Sequence, residues 1–330
     1  MENAAKLKNI QNEEKKTCPQ SQHPTSYVSK IISTDEKLLR KTVLHIRPRS
    51  INYEDSWGYI IQSTRYHGFK WYDPHTDSLI FFGRKSDTDS TLVIPSFFAE
   101  PKYLAQVINH VQNTKKAPQT ILKNINPQKL TNLIPYGFRK YKKNEGWCKE
   151  ARFDDQTYPQ LVIDLEKVTK KRGQAYKKLR TALNKKPNIT IRKYNKFDKK
   201  AVLKIFALKD ENSKNNLKKS KGAYYASHIM YLTSNLDKFV IIDNETKNIV
   251  GFTATSDISS VNTTLVASLF KPGLKAVSVW GIYQTLIIKY NQGFLKINLG
   301  GCETIGSYNF MRRTFQPVKK IKKTHLVYKS

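Results

Sequence analysis

Residues 294–317 read FLKINLGGCETIGSYNFMRRTFQP and concentrate residue types that could carry chemistry in a small space. A short apolar run ends in Gly300 and Gly301, Glu303 follows at once, and Arg312 and Arg313 come later on a helical pattern. Glycines without side chains let backbone N–H groups approach a ligand closely. Glu303 is spaced to act as a general base or to orient an amine, and the two arginines to contact an anionic donor or a developing oxyanion. A plain connecting turn would use the same glycines but does not require the carboxylate and the arginines.

A second concentration lies between Glu166 and Lys200, where Lys and Arg crowd the chain and the acids are Glu166 and Asp198. Within it GQAYKKLRTALNKK has helical periodicity. Ala175, Tyr176, Leu179, Ala182 and Leu183 share one face, and Lys177, Arg180, Asn184 and Lys185 the other. With Lys178, the basic residues of this helix are candidates for phosphate contacts, which make binding salt-dependent. The whole chain, 330 residues with 58 Lys and Arg against 26 Asp and Glu, carries +32. Self-repulsion of that size is offset by a polyanionic partner, with RNA and an anionic membrane surface as the candidates. A lysine-rich proteome would write a similar surface, so charge alone names no ligand.

Other chemistries are excluded or disfavoured. Cys18, Cys148 and Cys302 are too few and too scattered for a zinc site or a disulfide framework. His67, His75, Asp73 and Asp77 cluster in sequence, but DPHTDS reads as a turn between two strands, and no metal is expected. GxSxG, Walker and GxGxxG patterns are missing. No apolar run approaches the length of a membrane span, and MENAAKLKNIQNEEKK lacks a signal-peptide core. The expectation is a cytoplasmic protein, peripheral to a membrane at most.

The elements that must position these residues follow from periodicity. Residues 1–26 read as a disordered tail. A helix over YEDSWGYIIQSTRYHG, a hairpin over GFKWYDPHTDSLIFFGR, a strand TLVIPSFF, a helix opened by Pro101, and a short helix with a strand over NPQKLTNLIPYGFRKYKKNEGW make one α+β unit. PQLVIDLEKV is a strand leading into a helix. NITIRKYN (strand), KKAVLKIFALKDENSKNN and SHIMYLTSNLD (helices), the hairpin KFVIIDNETKNIVGFTATSDI, the strand TTLVASLF, the helix AVSVWGIYQTLIIKYNQGF and the strand LKINLGG make a second. This is the element order of an acyltransferase-type α/β layer fold. The expected division is 27–155 and 196–330, joined by a basic strand and helix over 156–195.

Two stretches carry a family resemblance. KRGQAYKKLRTALNKK after PQLVIDLEKV, and LKINLGGCETIGSYNFMRRTFQP followed by THLVY, are similar to the C-terminal catalytic domain of phosphatidylglycerol lysyltransferases and to the related FemABX aminoacyltransferases. The resemblance spans roughly residues 40–330. It implies two acetyltransferase-like (GNAT) domains in tandem, each a mixed, mostly antiparallel sheet flanked by helices. It implies transfer from aminoacyl-tRNA, as co-substrate and with no further cofactor, to a lipid head group, a peptide or a small amine or hydroxyl. On that reading Glu303 is the base or orients the acceptor, and Arg312 or Arg313 stabilises charge. Gly300 and Gly301 give close backbone contacts, and Lys177, Lys178, Arg180 and Lys185 bind tRNA. Trp280 and Tyr283 are candidates to line the acyl pocket, although the apolar helix they occupy favours plain core. An acyl-CoA user of this type carries a glycine-rich pyrophosphate loop after an Arg or Gln. FKPGLKAV, with Phe270 and Lys275 at the key places, departs from it and disfavours acyl-CoA. A catalytically silent RNA-binding protein of the same fold is the remaining alternative.

Overall fold

The computed structural model describes residues 27–64, 67–84, 90–141, 158–185, 187–217, 231–232, 234–300 and 305–329. The N-terminal tail, Gly301, Glu303 and, within SHIMYLTSNLD, residues 227–230 and 233 therefore lie outside the described residues. Two seven-stranded sheets organise the chain. The first runs β1 (Val28–Lys30), β2 (Phe69–Asp73), β3 (Ser78–Gly83), β4 (Thr91–Phe98), β5 (Gln119–Ile125), β14 (Thr324–Lys329), β6 (Arg139–Lys140). The second runs β8 (Ile189–Lys193), β9 (Asp237–Asp243), β10 (Ile249–Asp257), β11 (Asn262–Phe270), β12 (Lys296–Asn298), β7 (Gln160–Asp164), β13 (Lys319–Ile321). Each sheet is antiparallel except at one pair, β4 with β5 and β11 with β12. Each parallel pair is joined by a helix: α3 (Pro101–Lys115) in the first, α8 (Lys275–Asn291) in the second.

The expected strands and helices recur with small shifts. The hairpin around DPHTDS forms because the Asp73 carboxylate accepts from the His75 backbone N–H at 2.9 Å and from the Thr76 hydroxyl at 2.9 Å, which makes it a turn residue. Among the described residues no group of His, Cys, Asp or Glu is placed to hold a metal, and no helix is long and apolar enough to cross a membrane. The helix expected over YEDSWGYIIQSTRYHG breaks into a 3₁₀ turn at Tyr53–Asp55 and α2 (Trp57–Ser63). Between them Ser56 stays extended and caps α2, its side chain accepting from the Tyr59 N–H. Two further elements are α1 (Asp35–Ile46), which buries only a narrow stripe through Leu39 and Val43, and β5.

Connectivity crosses between the sheets at their sixth position. β7, from before the second unit, pairs with β12, and β14, at the C-terminal side of the chain, pairs with β5 and β6 of the first sheet. The stretch 156–195 thus supplies β7, α5 (Leu165–Lys170), α6 (Lys177–Asn184) and β8 to the second sheet, while 324–329 completes the first.

One apolar core spans both halves. Leu39 and Val43 of α1, Tyr59, Ile60 and Ile61 of α2, and Phe81 and Phe98 of the first sheet pack with Val240, Phe252, Ala254 and Val266 of the second and with Phe206 of α7 (Lys199–Leu217). The contact is close because α2 has no side chain at Gly58. Its N–H donates to Ser256 Oγ at 3.1 Å, and a Cβ there would stand 2.7 Å from Val266 Cγ1. Gly58→Ala is expected to destabilise the protein by about 1–3 kcal/mol through overpacking. Because the core is shared, urea unfolding should remain a single transition followed alike by circular dichroism and tryptophan fluorescence. Two separated transitions in the native chain would refute a shared core.

Candidate functional site

β11 and β12 pair over only three positions, Asn262 with Lys296 to Thr264 with Asn298, and then part. β11 continues to Phe270, while the chain beyond β12 stays with β7: Leu299 N–H donates to Leu161 at 2.8 Å, and Leu161 N–H to the Gly300 carbonyl at 3.2 Å. A wedge therefore opens between the parallel strands, and Gly300 stands at its β12 side.

Gly300 has φ +69°, the left-handed region, and a Cβ there would lie 3.2 Å from the Tyr53 ring. Conformation and space both require glycine. Its N–H donates to Asn298 Oδ1 at 2.8 Å, so both of its backbone polar groups are committed within the protein. Gly301, the second glycine of the corner, lies outside the described residues.

Behind Gly300 runs a buried chain of side chains. The Asn298 amide donates to the Ile51 carbonyl at 2.8 Å and to Gln160 Oε1 at 2.9 Å. The Gln160 amide donates to Glu54 Oε1, and Lys323 donates to Glu54 Oε2 at 2.9 Å. Gln160 and Asn298 are fully buried and Glu54 nearly so. Asn262 adds a bond from its amide to the Ser50 carbonyl at 2.9 Å. Segment 50–55, from the first half, is thereby tied across the ends of β11 and β12. Beside it, burial pushes the Asp55 carboxyl up, but the Arg47 guanidinium with Ser50 and Asn52 outweighs this and holds it below the usual carboxylate range. Tyr53, Glu54, Gln160 and Asn298 were not predicted as site residues. The available signal was a lone amide in each of two apolar strands, PQLVID and KIN, since buried amides need partners.

The remaining predicted residues are distributed as follows. α9 (Ile305–Phe315) packs against α6 and β7, so the two basic helices singled out in the sequence are neighbours. Tyr308 of α9 stacks on Tyr158 at 5.3 Å, and Arg312 lies 5.9 Å from the Tyr308 ring with its Nε buried and without a hydrogen-bond partner among the described residues. Arg313 is exposed. On α6, Lys177, Lys178 and Lys185 face solvent, whereas Arg180 donates to the carbonyls of Lys171 at 2.6 Å and Gly173 at 2.8 Å and so closes the turn that precedes the helix. Tyr176 and Leu179 are buried as expected, but Ala175, ahead of the helix, is exposed. Tyr283 is core, with its hydroxyl 2.6 Å from Lys171 Nζ, and Trp280 packs partly buried against Ile189, Ile241, Val250 and Val277. At the FKPGLKAV turn, Phe270 lies against Gly251 and Gly281, and residues 271–273 are exposed.

No family model and no curated protein sequence matches the chain. Solved structures do. A conserved protein of unknown function from Bacteroides thetaiotaomicron superposes with a TM-score of 0.70 at 13% identity, covering 92% of this chain and 99% of that one. L-PGS from Bacillus licheniformis superposes at 0.60 and 13% identity, covering 90% and 92%. FemX superposes at 0.60 and 9% identity, covering 92% and 97%. The chain thus has the fold these proteins share over nearly their whole length: α+β, with two GNAT-like domains in tandem.

Removing the Asn298 side chain would take away its bonds to Gln160 Oε1, to the Ile51 carbonyl and to the Gly300 N–H. Asn298→Ala is expected to lose about 1–3 kcal/mol in urea melts, and Gln160→Leu on top of it should add less than its own separate effect because the two share one bond. Full additivity would refute the buried chain as a unit.

Proposed function

We propose that the protein is an aminoacyl-tRNA-dependent aminoacyltransferase that moves an amino acid to a lipid head group, a peptide or another small amine or hydroxyl acceptor. The observation that carries the reading is the likeness of fold to FemX and to L-PGS over nine-tenths of the chain. The resemblance of the 294–317 stretch to the corresponding region of such transferases supports it further.

The chemistry asks little of the protein. An aminoacyl ester is already activated, so the protein must hold donor and acceptor together, remove one proton from the attacking amine or hydroxyl, and stabilise the oxyanion. Glu303 is the proposed base or acceptor-orienting group, three residues past Gly300 in sequence. Arg312 and Arg313, on the helix that starts just beyond, are the proposed charge stabilisers. The exposed Lys177, Lys178 and Lys185 are the proposed phosphate contacts for tRNA, while Arg180 supports them by holding the turn before α6. The wedge's far side, with Phe270 seated on Gly251 and Gly281, lacks the glycine-rich loop that a pyrophosphate would use, which speaks against acyl-CoA as donor.

The test is incubation of the protein with a mixture of tRNAs charged with labelled amino acids and a cell extract, following which label leaves the tRNA and where it arrives. Glu303→Gln is expected to lower transfer about 10²- to 10⁴-fold while RNA binding is unchanged. Binding without any loss of label beyond spontaneous hydrolysis would replace the enzyme reading with an RNA-binding one. Replacing Lys177, Lys178 and Lys185 together by Gln is expected to flatten the dependence of log K for tRNA on log salt by roughly 2 to 3. An unchanged slope would remove these lysines from the interface.

A further inference from the structure

Among the described residues Phe197 is the large apolar side chain that the fold leaves most open to water, at 83% exposure. The next are Leu295 at 58%, Ile32 at 56%, Ile305 at 54% and, just after α4 (Pro127–Leu133), Ile134 at 53%. A single exposed apolar residue is ordinary on a protein surface. What sets Phe197 apart is how it is held. It lies in the 3₁₀ turn Lys196–Asp198, between the edge strand β8 and α7. Asn195 Oδ1 accepts from the Phe197 N–H at 2.9 Å, and Asp198 Oδ2 accepts from the Asn195 N–H at 2.8 Å, a capping box that fixes the backbone on both sides of the ring. Arg192 then grips both Asp198 oxygens, each at 2.7 Å. The ring is thus presented to solvent by a locked turn, with the cost of ordering that turn already met inside the protein.

The surroundings of the ring are basic. Lys193, Lys196, Lys199 and Lys200 are all exposed and lie within four residues of it, and the Lys196 ammonium stands 5.3 Å from the ring centroid. Between residues 189 and 209 the one acid is Asp198, which is spent on Arg192. Four cations around an apolar ring suit a polyanion that also has an apolar layer. Platforms for unpaired bases instead line a basic groove with several aromatic rings, one for each successive base. Phe197 is one ring on one turn. At a bilayer surface an apolar side chain enters the headgroup layer while lysines beside it meet anionic lipids, and the two signals reinforce each other.

We propose that the Lys196–Asp198 turn docks the protein onto an anionic lipid bilayer, with Phe197 entering the headgroup layer and Lys193, Lys196, Lys199 and Lys200 meeting the charged lipids around it. β8 borders the second sheet at the end away from β7 and β12, so the docking turn and the Gly300 corner belong to different parts of that sheet. The inference stands apart from the transfer reading, because it needs no donor, acceptor or tRNA.

A chain of +32 adsorbs to many anionic surfaces, so the experiment reads where the ring goes as well as how tightly the chain binds. Full-length Phe197→Trp is mixed with vesicles of phosphatidylcholine containing about one-third phosphatidylserine, and with vesicles of phosphatidylcholine alone, each with and without lipids brominated on the acyl chains. After subtraction of the wild-type signal, the emission of the new tryptophan is expected to move to shorter wavelength and to be quenched by brominated lipid in the anionic vesicles only. In sedimentation with the anionic vesicles, Phe197→Ala should weaken binding about tenfold. Replacing the four lysines by Gln should weaken it about a hundredfold. Phe310→Ala, which removes an exposed aromatic ring from α9, should leave it unchanged. An emission that anionic vesicles neither shift nor quench, or Phe197→Ala binding as tightly as wild type, overturns the proposal. So does a shift produced by single-stranded RNA and not by vesicles, which would make the ring a platform for a base.

Discussion

The closeness of α2 to the second sheet governs the rest of the structure. A glycine at position 58 lets a helix of the first half lie almost backbone-to-side-chain on Ser256 and Val266. Around that contact a single apolar core gathers residues from both halves. Burial of this kind is worth roughly 25 cal/mol for each Å² removed from water. It is non-directional, so it holds the sheets together without choosing their register. Direction comes from polar bonds. Asn262 and Asn298 reach from the second sheet to backbone carbonyls of residues 50 and 51, and only one placement satisfies them.

The exchange of sixth strands works in the same sense. β7 and β14 each border the strand that leaves its parallel partner, β12 in one sheet and β5 in the other. A strand pair that splays leaves unpaired backbone groups, which are tolerable where the other edge of the departing strand is firmly paired. β4 and β5 also pair only from Thr91 with Gln119 to Ile94 with Leu122 and then part, so both splayed pairs depend on strands from distant parts of the chain, and both have Glu54 or its neighbours beside or behind them. The chain from Lys323 through Glu54, Gln160 and Asn298 to Gly300 connects them physically.

The charge of +32 divides into two populations. Lys177, Lys178, Lys185 and Arg313 face solvent on neighbouring helices, where ion pairs would contribute little and a polyanion can displace counterions. Others are buried and matched: Lys289, 1% exposed at its side chain, sits between Asp237 at 2.6 Å and Asp257 at 3.2 Å, and Asp257 also meets Arg40 of the first half. Pairs of that kind add little net stability but penalise any arrangement that separates them.

Much of the architecture was legible in the residues. TLVIPSFF, PKYLAQVINHVQNTKK, NITIRKYN and the two hairpins form the elements their periodicity implies, because alternation and the 3.6-residue repeat report directly which side of an element is buried. β5 was not legible, since Lys123 and Asn124 interrupt its apolar run and are buried only because a pocket and the Tyr59 hydroxyl receive them. The candidate site was half legible: Gly300 stands out by type, but its need for glycine comes from Tyr53, far away in the chain. The sequence by itself determined the local elements, the basic helices and the Gly-Gly corner, all of which follow from patterns within a few turns or strands. Tertiary structure alone decided that β14 returns to the first sheet, that Gln160 meets Asn298 and Glu54, and that α6 lies beside α9. A buried amide or strand edge must be paired, but its chemistry is common to every other amide and edge, so the identity of the partner is set by the packing of the whole chain.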